Sequence, residues 1–179
     1  MSQLASTYAQ ALYGLAKEEG ADGLILSQLD VLAQSFSQEP GFVRLLSAPE
    51  LSKQERCQIL DDSFREKVHP YVLNFMKLLT EKGYMRHFAD CCKAYHDQYN
   101  EDHGILPVRV CAAVPMSTEQ TEKMTAKLSS LTGKTVELQC KTDPSLLGGV
   151  RLDYDGKRVD GTVKSRLDAV GQLLKNTQL

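Results

Sequence analysis

No apolar run in this 179-residue sequence approaches the roughly 20 residues needed to cross a bilayer. The opening residues, MSQLASTYAQ, have no basic start followed by an apolar core, so no secretory signal is read there. An Arg-rich amphipathic transit segment is also missing, since the first basic residue is Lys17. Any role at a membrane is therefore expected to run through other proteins. Low-complexity tracts are absent too. With 42% hydrophobic and 25% charged residues, the composition is that of an ordinary globular protein.

Cysteine is sparse and irregularly placed. Cys57, Cys91, Cys92, Cys111 and Cys140 are odd in number and have no CxxC spacing. That argues against a disulfide framework and for a reducing compartment, with the thiols acting as small buried hydrophobes. Clustered positive charge is lacking as well. Residues 1–103 hold 10 basic and 15 acidic side chains, and residues 104–179 hold 11 and 8. An acidic first part carries no electrostatic footprint for nucleic acid, and the basic excess of the second is small.

Motifs for chemistry are missing. Gly133-Lys134-Thr135 looks like the tail of a phosphate-binding loop, but that motif needs a glycine where Leu128 stands. It also needs a strand before and a helix after, and the order here is reversed. His87, Cys91, Cys92 and His96 suggest zinc. At about 100° per residue, however, His87 and Cys91 share one helix face while Cys92 and His96 point away. Only a two-ligand site completed by His69 or His103 stays open. Neither GxSxG nor HExxH occurs. No cofactor and no catalytic site are expected.

What is present is two kinds of periodicity. In residues 1–104, apolar residues recur at helical spacing: Leu4, Tyr8, Leu12 and Leu15, then Ile25, Leu29, Leu32 and Phe36. Pro40-Gly41 interrupts, and a short piece with Phe42, Leu45 and Leu46 follows. Ser52 and Glu55 form a capping box opening a helix with Ile59, Leu60 and Phe64. Pro70 opens another, carrying Val72, Phe75, Met76 and Leu79 and closing at Gly83. The last has Phe88, Cys92, Tyr95 and Tyr99. This predicts a bundle of about six helices.

After Gly104 the period changes. Val108, Val110, Ala112 and Val114 alternate within Pro107 to Pro115, as in a strand. Ser117 and Gln120 form a second capping box, for a helix with Thr121, Met124, Leu128 and Leu131 that ends at Gly133. Thr135 to Lys141 and Val150 to Tyr154 alternate again, and Asp155-Gly156 signals a tight hairpin returning through Lys157 to Val159. A last helix would carry Val163, Leu167, Val170 and Leu174. Residues 105–179 are expected to be a small α+β domain, so the fold class is mainly α with an α+β second domain. Gly148-Gly149 fits a turn or bulge feeding the Val150 strand better than a phosphate nest.

The first helix is apolar over an unusually wide arc. Ala5, Ala9, Leu12 and Ala16 form one stripe, and Leu4, Tyr8, Ala11 and Leu15 a second about 80–100° away. With Tyr13 the arc covers roughly 200°, against the ~100° that packing on one domain requires. Two readings fit: a central, fully wrapped helix, or a helix packed inward on one face and docked to a partner on the other. The small alanines lean towards docking, because they leave room for an incoming helix.

Four stretches carry a family resemblance. DPSLLGGVRLDYDGKRVDGTVKSRLDAVGQLL, from Asp143 to Leu174, has the order and spacing of the C-terminal signature of the delta subunits of F-type ATP synthases, called OSCP in mitochondria. It includes Gly148-Gly149, the hairpin, Asp160-Gly161 and Arg166-Leu167. YNEDHGILPVRVCAAVPMSTEQ resembles that family's passage from helical domain to strand. TYAQALYGLAKEEG and NFMKLLTEKGYMRHF resemble its first and fifth helices. Together they span nearly the whole chain.

The resemblance implies a non-catalytic stator component linking the catalytic head to the peripheral stalk and resisting rotor torque. One copy per complex would sit at the cytoplasmic face of a bacterial plasma membrane, held there indirectly. The domain spanning 1–104 would bind the N-terminal helix of an alpha subunit, and that spanning 105–179 the C-terminal end of the b subunit. Carried over by position, the alpha-binding groove would use Tyr8, Ala9, Ala11, Leu12 and Leu15 of the first helix. The fifth would contribute Asn74, Phe75, Leu78, Leu79 and Lys82. On this basis Ala9→Asp or Ala11→Asp should weaken alpha binding and spare the fold. Gly148, Gly149, Asp160 and Gly161 would be structural turn residues. Tyr84 stands where the family often has Arg, so that Arg's polar contact does not carry over. Two other classes also fit a chain without motifs: a helical adaptor of another assembly, and a small nucleotide-binding or enzymatic domain.

Overall fold

The computed structural model describes residues 3–48, 50–163 and 165. The chain divides into two compact units, Met1–Tyr99 and Asn100–Leu179.

The helical part contains α1 (Gln3–Glu18), α2 (Asp22–Gln38), α3 (Pro40–Leu46), α4 (Lys53–Phe64), α5 (Pro70–Glu81) and α6 (Phe88–Asp102), the last entered through a 3-10 turn at Met85–His87. Local chemistry sets the starts. Ser52 Oγ accepts the Glu55 amide while the Glu55 carboxylate accepts the Ser52 amide, closing the capping box of α4. Pro40 and Pro70 sit in the first turns of α3 and α5, where a missing N–H leaves nothing unpaired. Pro40 thus begins a helix as well as interrupting the chain.

The bundle core is rich in rings. Phe36 meets Phe42 at 5.4 Å, Phe64 at 6.2 Å and Phe88 at 5.1 Å between centroids. Tyr13 and Tyr95 meet edge to face at 5.4 Å, and the buried Tyr95 hydroxyl donates to the Asp22 carbonyl at 3.0 Å. A buried phenol needs such a partner. Burial holds its proton well above the ordinary tyrosine range.

The second unit contains β1 (Ile105–Ala112), α7 (Thr118–Thr132), β2 (Thr135–Thr142), β3 (Val150–Tyr154) and β4 (Lys157–Asp160). The sheet order is β2-β1-β3-β4, with β1 and β2 parallel and the other pairs antiparallel. The mainly helical first part and mixed α+β second part are the fold class read from periodicity. β1 starts two residues earlier than expected and takes in Pro107. β3 meets β1 only from Arg109 onward, so the missing N–H of Pro107 lies outside that ladder. Val114, read as part of the strand, lies beyond it and is exposed. Asp155 and Gly156 both have positive φ, 47° and 70°, the requirement of a two-residue type I′ hairpin.

Beyond β4, the Asp160 carboxylate accepts from the Thr162 amide and hydroxyl at 2.9 and 2.7 Å, and Thr162 Oγ1 accepts from the Ser165 amide. These contacts begin a helical turn at Val163. The expected helix positions Leu167, Val170 and Leu174, with Arg166, lie outside the described residues.

The cysteines depart from expectation. Only Cys91 and Cys92 are buried. Cys57 and Cys111 are half-buried and Cys140 is exposed, because β2 is an edge strand whose far end has little packed over it.

Candidate functional site

The site is built on α1 and α5, which pack as neighbours. The two stripes of α1 separate cleanly. Ala5, Ala9, Leu12, Tyr13 and Ala16 are buried in the bundle. Leu4 and Tyr8 are half-buried, Ala11 is exposed, and Leu15 is 48% exposed. On α5, Phe75 and Leu79 are buried with Val72 and Met76, while Asn74 and Lys82 are exposed and Leu78 is 39% exposed. Ten positions were read as groove residues. Six of them reach the surface: Tyr8, Ala11, Leu15, Asn74, Leu78 and Lys82. Ala9, Leu12, Phe75 and Leu79 lie beneath and hold the two helices together. Ala9 is 1% exposed, so Ala9→Asp cannot spare the fold as expected, since a carboxylate there would enter the apolar core.

Polar and aromatic contacts close both ends of this surface. At one end the Tyr71 hydroxyl donates to the Glu19 carboxylate at 2.6 Å, and His69 Nε2 lies 3.8 Å from the same carboxylate. Donation to Glu19 holds the Tyr71 proton above its ordinary range. His69 also caps α5, its Nδ1 accepting the Tyr71 amide at 3.3 Å. At the other end Tyr84, just past α5, meets Tyr8 edge to face at 6.1 Å. The end of α1 therefore meets the start of α5, and the two helices run antiparallel. An aromatic lid replaces the polar contact that an Arg at position 84 would offer. Sequence reasoning missed Tyr71 and Glu19, 52 residues apart, because no local pattern links them.

The arrangement offers an apolar strip with a polar cluster, Tyr71, Glu19 and His69, at one end and an aromatic pair, Tyr8 and Tyr84, at the other. Among the described residues no three His, Cys, Asp or Glu side chains are placed to hold a metal ion, and no helix is long and apolar enough to cross a membrane.

In the second unit the turn residues meet tightly. Gly149 has φ +79°, and a Cβ there would lie 2.5 Å from the Gly161 carbonyl oxygen and 2.9 Å from Thr162 Cα. The Gly161 amide donates to the Val150 carbonyl, and the Val163 amide to the Gly148 carbonyl, each at 3.0 Å. The two backbone segments touch directly.

The family model described as ATP synthase delta (OSCP) subunit matches residues 4–174. The chain belongs to that family. Delta (OSCP) relatives include the ATP synthase subunit delta of Alkaliphilus oremlandii, 31% identical over 175 residues and 97% of each chain. That of Clostridioides difficile is 28% identical over 172 residues, 96% of this chain and 95% of the relative. A chain in the cryo-EM structure of the Toxoplasma gondii mitochondrial ATP synthase hexamer has the same fold, with a TM-score of 0.72 at 22% identity over 97% of this chain and 98% of that one. As a delta (OSCP) subunit the chain is a non-catalytic part of the ATP synthase complex and a component of its stator. The enzymatic and unrelated-adaptor readings are thereby set aside.

Proposed function

We propose that this delta (OSCP) subunit ties the catalytic head to the peripheral stalk and holds the head against rotor torque. It would do so as one copy per complex at the cytoplasmic face of a bacterial plasma membrane. The bundle receives the N-terminal helix of an alpha subunit on the α1–α5 surface, and residues 105–179 take the C-terminal end of the b subunit. The observation that carries this reading is the split of α1 into a buried stripe and an outward apolar stripe, Tyr8, Ala11 and Leu15, with Leu78 exposed on the neighbouring α5. An outward stripe beyond what the bundle needs is the mark of helix-in-groove recognition.

The job needs no reactive group. A joint resists torque passively if its interfaces dissociate slowly. Two sites on one chain act bivalently, so the second contact forms at high effective concentration.

Calorimetric titration of the chain with a synthetic alpha N-terminal peptide tests it. Ala11→Asp and Leu78→Asp keep the helical circular dichroism and weaken binding at least about tenfold, since docking would bury an unpaired charge. Ala9→Asp instead loses the fold. Folded Ala11→Asp and Leu78→Asp variants that bind like the parent would remove the groove.

A further inference from the structure

The polar cluster at the start of α5 holds a contact that cannot coexist with an added proton. His69 is the N-cap of α5, and its Nδ1 accepts the Tyr71 amide at 3.3 Å. An accepting Nδ1 needs its lone pair, so the ring is neutral and its proton sits on Nε2. That nitrogen lies 3.8 Å from the Glu19 carboxylate, beyond hydrogen-bond reach. Only 19% of the His69 side chain is exposed, so the ring is held between these two partners.

Each packed element contributes to this setting. From α1, Glu19 accepts the Tyr71 hydroxyl at 2.6 Å, and Glu18 acts on the same phenol at longer range. From α2, the neutral Gln28 accepts the His69 amide at 2.8 Å and fixes the backbone of the cap. From α5, the Tyr71 ring meets the imidazole edge to face at 5.2 Å. Carboxylates titrate below, and phenols above, the range in which imidazole changes charge. His69 is therefore the member of the cluster that a shift from about pH 7.5 to about pH 5.5 recharges.

Protonation places a hydrogen on Nδ1, facing the Tyr71 amide hydrogen, and the cap bond is lost. It also sets a cation at a helix N-terminus, against the macrodipole. The charged ring gains by closing on Glu19, whose Oε2 is nearest His69 while Oε1 takes Tyr71. Closing that gap draws the ring away from the Tyr71 amide, so cap and ion pair are alternatives. Tyr71 lies in the first turn of α5 and ties it to the end of α1. Once the cap is lost, that turn frays and the spacing of the two helices at this end is no longer fixed. A surface that must be ordered on docking binds more weakly than one already set.

We propose that His69 is an acid-released latch of the α1–α5 surface. Neutral, it caps α5 and holds the surface ready for an incoming helix. Protonated, it trades the cap for Glu19 and the surface loosens. The inference rests on the reading that this surface receives the alpha N-terminal helix, and it adds pH control to that site.

The test is calorimetric titration of the full chain with the alpha N-terminal peptide at about pH 7.5 and about pH 5.5. The parent binds about threefold to tenfold more weakly at the lower pH, the worth of one cap. His69→Asn supplies a capping oxygen that does not titrate. It binds as the parent does at the higher pH and keeps that affinity at the lower. Glu19→Gln still accepts the Tyr71 hydroxyl but removes the charge that favours imidazolium, so the loss moves to lower pH. Charges on the peptide are common to all three proteins and cancel in the comparison. Equal parent affinity at both pH values overturns the latch and leaves the docking reading standing. So does a His69→Asn variant that weakens in acid as the parent does, or a Glu19→Gln midpoint equal to the parent's. No binding by the parent at either pH overturns both. A magnetic-resonance titration needs neither peptide nor variant: the Tyr71 amide signal shifts and exchanges faster as the imidazole protonates. A Tyr71 amide that ignores that titration means the cap survives, and the proposal falls.

Discussion

Gly148 and Gly149 are adjacent but not equivalent. A Cβ on Gly148 meets only the Val163 side chain, at 3.2 Å, and a side chain can shift by a few tenths of an ångström. A Cβ on Gly149 strikes backbone at 2.5 Å, and its φ of +79° disfavours any other residue. Gly149→Asp should therefore cost the second unit a few kcal/mol in urea unfolding, while Gly148→Ala costs under about 1 kcal/mol. Equal midpoints for the two variants would contradict this account. The thiols give a second residue-scale contrast. Burial raises Cys91 to about 11 and Cys92 further still, so neither offers thiolate at neutral pH. Cys140 is exposed. A thiol reagent added to the folded chain should label Cys140 first and reach Cys91 and Cys92 only on unfolding. Early labelling of either buried thiol would show that α6 opens locally.

Among the elements, α4 depends most visibly on its cap. Its outward face is polar and it buries only Leu60 fully. Ser52→Ala should cost about 1 kcal/mol, measured by urea unfolding at neutral pH. The reciprocal bond from the Ser52 amide lowers the Glu55 pKa. A carboxylate with a lowered folded pKa stabilises at pH values above its unfolded value, and that contribution fades as pH falls through the folded value. The difference between parent and Glu55→Ala should thus shrink in acid. A difference that grew there would mean Glu55 is not bonded in this way.

The same elements mark how far the sequence was readable. Both capping boxes, the Asp155-Gly156 hairpin and the two stripes of α1 follow from spacing alone, because each is set by neighbours within a few residues. The depth of individual groove residues was not readable. Ala9 and Ala11 fall on different stripes of α1, and spacing does not say which stripe the bundle covers. Leu131 was read on the apolar face of α7 and lies on it, yet it is exposed. Helical period gives direction and not coverage, which depends on segments distant in sequence.

For the whole molecule, the two units have separate cores. One is built on Leu29, Met76 and Tyr95, the other on Val108, Val110 and Val136. A fragment of residues 1–104 should therefore fold alone, give a mainly helical circular dichroism spectrum, unfold cooperatively and bind the alpha peptide as the full chain does. A fragment that is disordered, or folded but inert towards the peptide, would mean that the first unit needs the second.

The sheet has a further consequence for the subunit before assembly. Its two outer strands are β2 and β4, and among the described residues each has a strand neighbour on one side only. Such rims invite strand addition from a neighbour, the first step towards fibrous aggregates. Here Glu137 and Lys141 are exposed on β2, and Lys157, Arg158 and Asp160 on β4. Stacking a second copy edge to edge would strip water from these charges. Newly made chains waiting for a complex are in this way kept dispersed by the charges on their own outer strands.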